Sequence, residues 1–514
     1  MPSTHPRHLA VVAGVVIVGL SVLWPFLLPG GLLARDMVVL GHMALSDQAT
    51  GFSVLPARAA PQDGFLALIP FGLAPLVARA LVLSSAWWGA RAAWRIGGPV
   101  AAILLLANPF VVSRLLQGHW SLVVAFFALA VLTYEFCASP RPRWLLVALA
   151  MWMASLTPTG AVFAIVVALL LATSWRHRLI LLAIGGALSL PWLVPSVLAS
   201  SRGASITATA ASFVAFAPRG QGPMGVVLNV LGTGGIWNTS ADLASRSGVF
   251  SVSVLAGALV TVLLLVAGWR TPRSVPRQLW ALGVFALFAT CLVGLFPSTA
   301  GALLSPLPGS GLIRDGQKLV MLALPALLLG VRPAIDMLCT WLSRVPTKAV
   351  AAQALLAALL VINVWGAPFA MRQITPIPEP RMDFLAQQVG DRMLLIVPGS
   401  TTVSFHDRTI VDPRTKAMSV LSSGELIVDG EVVDPPNPAY ISAVNAWNAH
   451  DMSALQALGV GVVLDEKTGA LTEVPGAQPA RPQLMGVMLC ALWSLTGVVL
   501  CGTWAASSWL ASRR

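Results

Sequence analysis

Charge is what this sequence has least of. Only 10% of its 514 residues are Asp, Glu, Lys or Arg, against about 25% in soluble globular chains. Hydrophobic residues make up 57% and the mean hydropathy is +0.81. This excludes an ordinary soluble domain and makes the chain an α-helical polytopic membrane protein. Acids are scarcer than bases, 20 against 32, for a formal net charge of +12. The bases do not gather on a soluble domain, so nucleic acid is not an expected partner. Cysteine is scarce too. Cys137, Cys291, Cys339, Cys490 and Cys501 all fall within or at the ends of apolar runs, without CxxC or Cys/His spacing. That excludes a zinc site or a disulfide framework and leaves small core hydrophobes. GxSxG and Walker A motifs are absent, and with them the signatures of hydrolase and P-loop chemistry. No internal repeat is visible, which argues against a transporter built from duplicated halves. The first apolar segment runs on to Leu28 without a small-residue cleavage site, so a retained transmembrane helix is expected rather than a signal peptide.

What is present is a series of apolar runs. Segments suited to spanning a bilayer lie at roughly 9–29, 64–86, 98–113, 120–137, 144–157, 159–174, 179–199, 249–268, 279–296, 318–342, 349–368 and 484–506, about 12 helices. With the N-terminus in the cytoplasm, alternate connections carry Arg91 and Arg95, Arg141 and Arg143, Arg176 and Arg178, Arg270, Arg273 and Arg277, Arg344 and Lys348, and the terminal SRR. These short loops are basic and almost free of acids, as the positive-inside rule requires. Both termini are then cytoplasmic, in the cytoplasmic (inner) membrane. Residues 30–63, 108–119, 200–248, 297–317 and 371–483 lie on the external, periplasmic side.

Three domains are expected: a transmembrane domain over 1–370, a small external α/β domain over 371–483, and a final transmembrane helix with a cytoplasmic tail over 484–514. In the second, RMDFLAQQVGD and AVNAWNAHDMSALQALG pattern as helices, RMLLIVPG and VGVVLDE as strands, and SSGELIVDGEVVD as a hairpin. Residues 200–248, rich in small residues, suit a loop or re-entrant helix over a cavity.

Three external charge clusters need explaining. The first loop holds Arg35, Asp36, His42, Asp47, Arg58 and Asp63. A solvated loop would account for most of them, but Asp36 follows the first helix closely, beside an arginine that would keep it ionised. Such a carboxylate can act as a general base on a hydroxyl. In NPFVVSRLLQGHW, Asn108 and Pro109 end a helix, and Arg114, Gln117 and His119 line a short turn. Arg114 is either an interfacial snorkelling residue or, with His119, a seat for a phosphate. In PLPGSGLIRDGQKLVML, Arg314, Asp315, Gln317 and Lys318 open a helix. That is either an anion-binding helix start or a loop docked on the acids of 371–483. NTS at 238–240 matches a glycosylation acceptor, a pattern frequent by chance.

These features together resemble the GT-C superfamily of integral-membrane glycosyltransferases. They are a single Asp just after the first helix (Asp36 in LLARDMVV), a basic turn after NPF (Arg114, His119), a basic helix start (Arg314, Lys318) and a carboxy-terminal α/β domain. The likeness is to actinobacterial envelope arabinofuranosyl- and mannosyltransferases. It implies a polyprenyl-phosphate sugar donor and an envelope glycan or glycolipid acceptor at the outer face of the bilayer. By that resemblance Asp36 is the catalytic base, while Arg114, His119, Arg314 and Lys318 hold the lipid phosphate. Family members often pair acids in this loop, whereas Met37 follows Asp36 here, leaving Asp47 and Asp63 as candidate second acids. No cofactor is required. A divalent metal is compatible with the chemistry, but one Asp without a close partner makes a poor magnesium site, so no metal ligands are assigned.

Two other readings compete. A transporter or flippase of a lipid-linked precursor would place ionisable residues near the membrane midplane. The candidates, Arg79, Glu135, Arg332 and Asp336, are expected instead toward cytoplasmic helix ends. A non-catalytic scaffold of the same fold would make the three clusters incidental.

Overall fold

The computed structural model describes residues 5–139, 141–201, 208–248, 251–271, 275–428 and 430–512. Arg273, Asp429, Arg513, Arg514 and the 202–207 part of the long connection lie outside them. The chain is mostly helical, and nine helices among the described residues are long and apolar enough to cross a membrane. Two further apolar helices, Trp144–Ala154 and Pro158–Leu171, have 11 and 14 residues, about 17 and 21 Å at 1.5 Å per residue, short of a 30 Å hydrocarbon layer. The Trp120–Cys137 helix is the hub. It is 83% buried and packs on Ala74–Leu106, Trp144–Ala154 and Pro158–Leu171, whereas the final helix, Leu484–Ser512, is 22% buried across its span and lies at the periphery.

The expected break at WWGARAAWR is not where the chain turns. Arg91 and Arg95 lie inside the Ala74–Leu106 helix, and the non-helical residue is Gly98, at φ +73°. Glycine adopts that angle without strain, and the following Pro99 cannot continue the preceding hydrogen-bond ladder. Arg79 also departs from expectation. It sits near the start of this helix and donates to the Gly30 carbonyl, so it belongs to the end that carries the first connection. Glu135, near the opposite end of its own helix, binds Arg143, and Arg332, midway along Leu324–Trp341, donates to the Arg95 carbonyl. NPFVVSRLLQ is a helix rather than a turn. Asn108 caps Pro109–Gln117 by accepting from Val111 N at 3.0 Å, and proline occupies the first helical position, where its missing N–H costs nothing.

Strands are few and short. β1 (Leu32–Ala34) and β2 (Met37–Val39) form an antiparallel hairpin whose turn is Arg35–Asp36. In 371–483, β3 (Met393–Val397), β8 (Val460–Asp465) and β9 (Ala470–Glu473) make a sheet in the order β3-β8-β9, parallel then antiparallel. β4 (Thr402–Phe405) pairs with β5 (Arg408–Val411), and β6 (Leu426–Val428) with β7 (Glu431–Asp434). The expected helix over AVNAWNAHDMSALQALG is two, Pro438–Asn448 and Met452–Ala457, separated by His450 at φ +56°. The β4–β5 hairpin and β9 are not visible in the sequence pattern.

This segment packs on the first connection. Gly31 bridges Ile377, Val411 N donates to Arg35 O at 2.8 Å, and Ala44 N donates to Lys416 O at 2.7 Å. Leu33, Val38 and Leu40 bury against Ile410, with Ile377 and Phe405 beside them. The hairpin tip is thus fixed from behind by residues nearly 400 positions away in sequence.

Candidate functional site

Asp36 sits at the tip of the β1–β2 hairpin, and a second turn, Gln117-Gly118-His119, wraps it. The backbone N–H of Asp36 donates to Gln117 O at 3.2 Å. Gly118 makes this approach feasible. Its φ is +90°, and a Cβ there would lie 2.3 Å from Met37 N and 2.6 Å from Ala34 O. Only glycine fits both the backbone angle and the space.

The side chains form a hydrogen-bonded line. Gln117 Nε2 donates to Asp36 Oδ2 at 3.1 Å, and His119 Nε2 lies 2.9 Å from the same oxygen. His119 Nδ1 lies 3.1 Å from Arg114 Nη1, and Arg114 in turn makes a two-pronged ion pair with Asp315. A guanidinium can only donate, so Nδ1 of His119 must accept, and the ring proton is on Nε2. His119 is therefore a neutral donor to Asp36, not a cation. Asp36 Oδ1 has no hydrogen-bond partner among the described residues.

The electrostatics agree. Burial pushes the Asp36 carboxyl up, but the hydrogen bonds from His119 and the Gln117 amide, with the charge of Arg35, outweigh it and hold the group below its ordinary value. Arg35, its sequence neighbour, is the smallest of these effects. The Asp36 side chain nonetheless keeps 43% of its surface open, so it is ionised and reachable. His119 is held below the usual imidazole value, first by burial and then by the charges of Arg114 and Lys318, against the pull of Asp36. Asp315 sits at about 2, because Arg114 overcomes the desolvation that opposes ionisation.

Arg114 is completely buried, and its terminal nitrogens are engaged by Asp315 and His119. It presents no free face to a phosphate; its place in this geometry is to fix His119. Arg314 is also engaged: Nη1 lies 2.8 Å from both oxygens of Asp434, and its guanidinium rests 4.3 Å from the centre of the Phe216 ring. The loop does dock on an acid of 371–483. Arg58 reaches the same Asp434 at 3.4 Å while keeping 53% of its side chain exposed. Burial and the charge of Arg314 lower the Arg58 pKa to about 10.

Lys318 differs from these. Its side-chain ammonium makes no hydrogen bond or ion pair with any described residue, yet its charge is felt at both His119 and Asp315, and Arg314 and Arg58 are among its electrostatic neighbours. The site therefore gathers Asp36, His119, Arg114, Asp315 and Lys318, with Arg58, Arg314 and Asp434 adjoining.

Asp47 and Asp63 are not brought to it. Asp63 is buried and pairs with Lys416, and Asp47 accepts from Gln483 N at 2.7 Å at the start of the last helix. No group of three or more His, Cys, Asp or Glu placed to hold a metal ion is present among the described residues. The NTS tripeptide proves to be part of the site. Asn238 Nδ2 donates to Gln117 Oε1 at 2.7 Å, which turns the Gln117 amide nitrogen toward Asp36. Neither Asn238 nor Gln117 carries a sequence signal for this role, and Asp315 carries only its place in a charge cluster. Gly118 directly before a histidine at a helix start is the one local hint. No protein-family profile, curated protein or solved structure matches this chain.

Proposed function

We propose that this chain is an integral-membrane glycosyltransferase of the GT-C type, moving a sugar from a polyprenyl-phosphate donor to a hydroxyl of an envelope glycan or glycolipid. It would act at the outer face of the cytoplasmic membrane. This includes twelve crossings, counting the two short helices and both sides of the Gly98 break, cytoplasmic termini, and residues 371–483 as an external α/β domain. The observation that carries the reading is the pairing of one ionised carboxylate that has a free oxygen, Asp36, with one unpaired cation in the same group, Lys318.

The roles follow from charge. Asp36 Oδ1 accepts the proton of the acceptor hydroxyl as its oxygen bonds to the anomeric carbon. The bond from that carbon to the phosphate oxygen breaks, and the phosphate leaves with the electron pair. Lys318 stands for the cation that holds this phosphate, with Arg58 and Arg314 adjoining. His119 and Gln117 aim the carboxylate. Arg114 and Asp315 fix His119. The transporter reading is the weaker one, because Arg79 and Glu135 are bound near helix ends and Arg332, within the Leu324–Trp341 helix, is engaged by the Arg95 carbonyl rather than free.

The test is Asp36→Asn in a strain lacking the native gene. Altered envelope glycans with normal protein levels support the proposal. Unchanged glycans with a stably expressed variant would overturn it.

A further inference from the structure

A second concave site lies apart from Asp36. A cleft of about 650 Å³ is walled by the 46–55 connection, the end of the Trp175–Ser201 helix near Pro195, the 419–422 segment of 371–483 and the 478–483 approach to the last helix. This volume is in the range of small-molecule sites.

The lining is specific in one respect. Gln48, Ser419, Ser422, Gln478, Arg481 and Gln483 all face this cleft, and none of their side chains makes a hydrogen bond with a described residue. Amides and hydroxyls both donate and accept. The ionisable groups at the rim, Asp47 and Arg481, are opposite in sign, so an anion gains little there. Phe52, Leu55, Met393 and Leu421 supply apolar surface between the polar groups. A lipid tail would leave the amides and hydroxyls without partners when it covered them, which is costly. A neutral polyhydroxylated chain, with hydroxyls on its edges and C–H on its faces, matches the whole lining.

We infer that this cleft binds a neutral saccharide of several units. If the proposed transfer reaction is right, on which this second step rests, the saccharide is the portion of the acceptor distant from the reacting hydroxyl. The placement supports that link. Leu55 lines the cleft and packs against Gly424, and three residues later Arg58 reaches Asp434 in the cation group. One connection therefore runs from the cleft to the site.

The experiment uses the full chain in lipid nanodiscs, without donor, titrated by saturation-transfer NMR with pentose and hexose oligosaccharides of four to six units. Saturable binding by at least one of them is expected. Gln48→Ala/Ser422→Ala should weaken it roughly tenfold, through two lost hydrogen-bonding groups. The exposed-residue variant Gln478→Ala/Arg481→Ala, remote from any packed core, should also weaken it. Asp36→Asn should bind as the wild type does, so failure of the catalytic assignment and failure of the cleft are seen separately. No saturable binding by any oligosaccharide, or equal binding by both cleft variants and wild type, overturns the inference. Binding confined to nanodiscs containing phosphatidylinositol would overturn it too, assigning the cleft to a lipid headgroup.

Discussion

Asp315→Asn is the most informative single change, because it separates what holds the protein together from what prepares Asp36. Arg114 is completely buried; its terminal nitrogens bind Asp315 and His119, and its Nε has no partner among the described residues. Replacing the carboxylate leaves a buried guanidinium without its counter-charge and sets an amide N–H₂ against two N–H donors. Breaking a buried pair from one side costs about 3–5 kcal/mol. A lower bound comes from titration. The Asp315 carboxyl sits at about 2 against a usual 3.8, which is worth about 2 kcal/mol. Because the folded value is the lower one, this stabilisation is present above pH 4 and is lost as pH falls toward 2. At neutral pH the variant should melt roughly 3–10 °C below wild type in detergent, followed by the fluorescence of its 18 tryptophans. The double change Arg114→Met/Asp315→Leu removes both charges, so most of the stability should return. His119 will then lack a donor at Nδ1 and can take the other tautomer, and activity should stay low. A single variant that melts with wild type, or a double variant no more stable than the single, refutes the reasoning.

Gly118→Ala should cost about 1–2 kcal/mol for the left-handed backbone plus about 1–3 kcal/mol for forcing the hairpin tip away. Gly72→Ala, at φ +71° with nothing within 4 Å, should show only the backbone cost, and equal melting temperatures for the two would refute the packing argument. Asp434→Asn frees Arg314 and Arg58, so it should lower the melting temperature in phosphate-free buffer and regain it on adding inorganic phosphate, by ligand linkage; no phosphate dependence counts against an anion site there. His119 is held below its ordinary pKa, so the unfolded chain takes up a proton first as pH drops. Its contribution to stability is present above about pH 6.5 and declines below it. His119→Gln should flatten the fall in melting temperature between pH 7 and 5, and an unchanged slope would show that His119 is not the neutral donor described. Lys318→Ala should reduce turnover about 10²–10³-fold with partial recovery in Lys318→Arg; a change confined to KM would move Lys318 out of the leaving-group role.

Hydropathy located most of the helices because a bilayer asks only for length and apolarity. It misplaced the turn near Arg91 because two arginines four residues apart mimic a basic loop. They instead share one exposed face of a helix whose Ala92 and Ala93 are buried. The small sheets of 371–483 were partly legible from alternation. Their docking on residues 31–44 was not, since it rests on backbone hydrogen bonds with no side-chain pattern. In the site, Asp36, Arg314 and Lys318 stood out as charges in apolar surroundings, but their partners did not. Sequence adjacency misleads here. Arg314 and Asp315 are neighbours, yet one turns to Asp434 and the other to Arg114. Arg35 beside Asp36 contributes less to keeping it ionised than His119, 83 positions away.

The charge arrangement also says where the driving force must come from. In the proposed transfer one negative charge leaves Asp36 as it takes the acceptor proton, and one appears on the departing phosphate. Hydrogen bonds from His119 and Gln117 hold Asp36 below its ordinary pKa, which keeps it ionised but makes it a weak base. The carboxylate end therefore resists the shift, and the phosphate end must favour it. Arg114 cannot do so, because Asp315 has already neutralised it. The cations with capacity left are Lys318, whose ammonium is unpaired among the described residues, and Arg58 and Arg314, which share the single carboxylate of Asp434. Those three carry two positive charges beyond what Asp434 offsets, matching the nearly doubly charged phosphate monoester that leaves. A neutral His119 keeps that excess from extending to Asp36, where it would weaken the base further. Asp315 thus serves the reaction at one remove. By absorbing the charge of Arg114 it keeps the free positive charge on the side where the new negative charge forms.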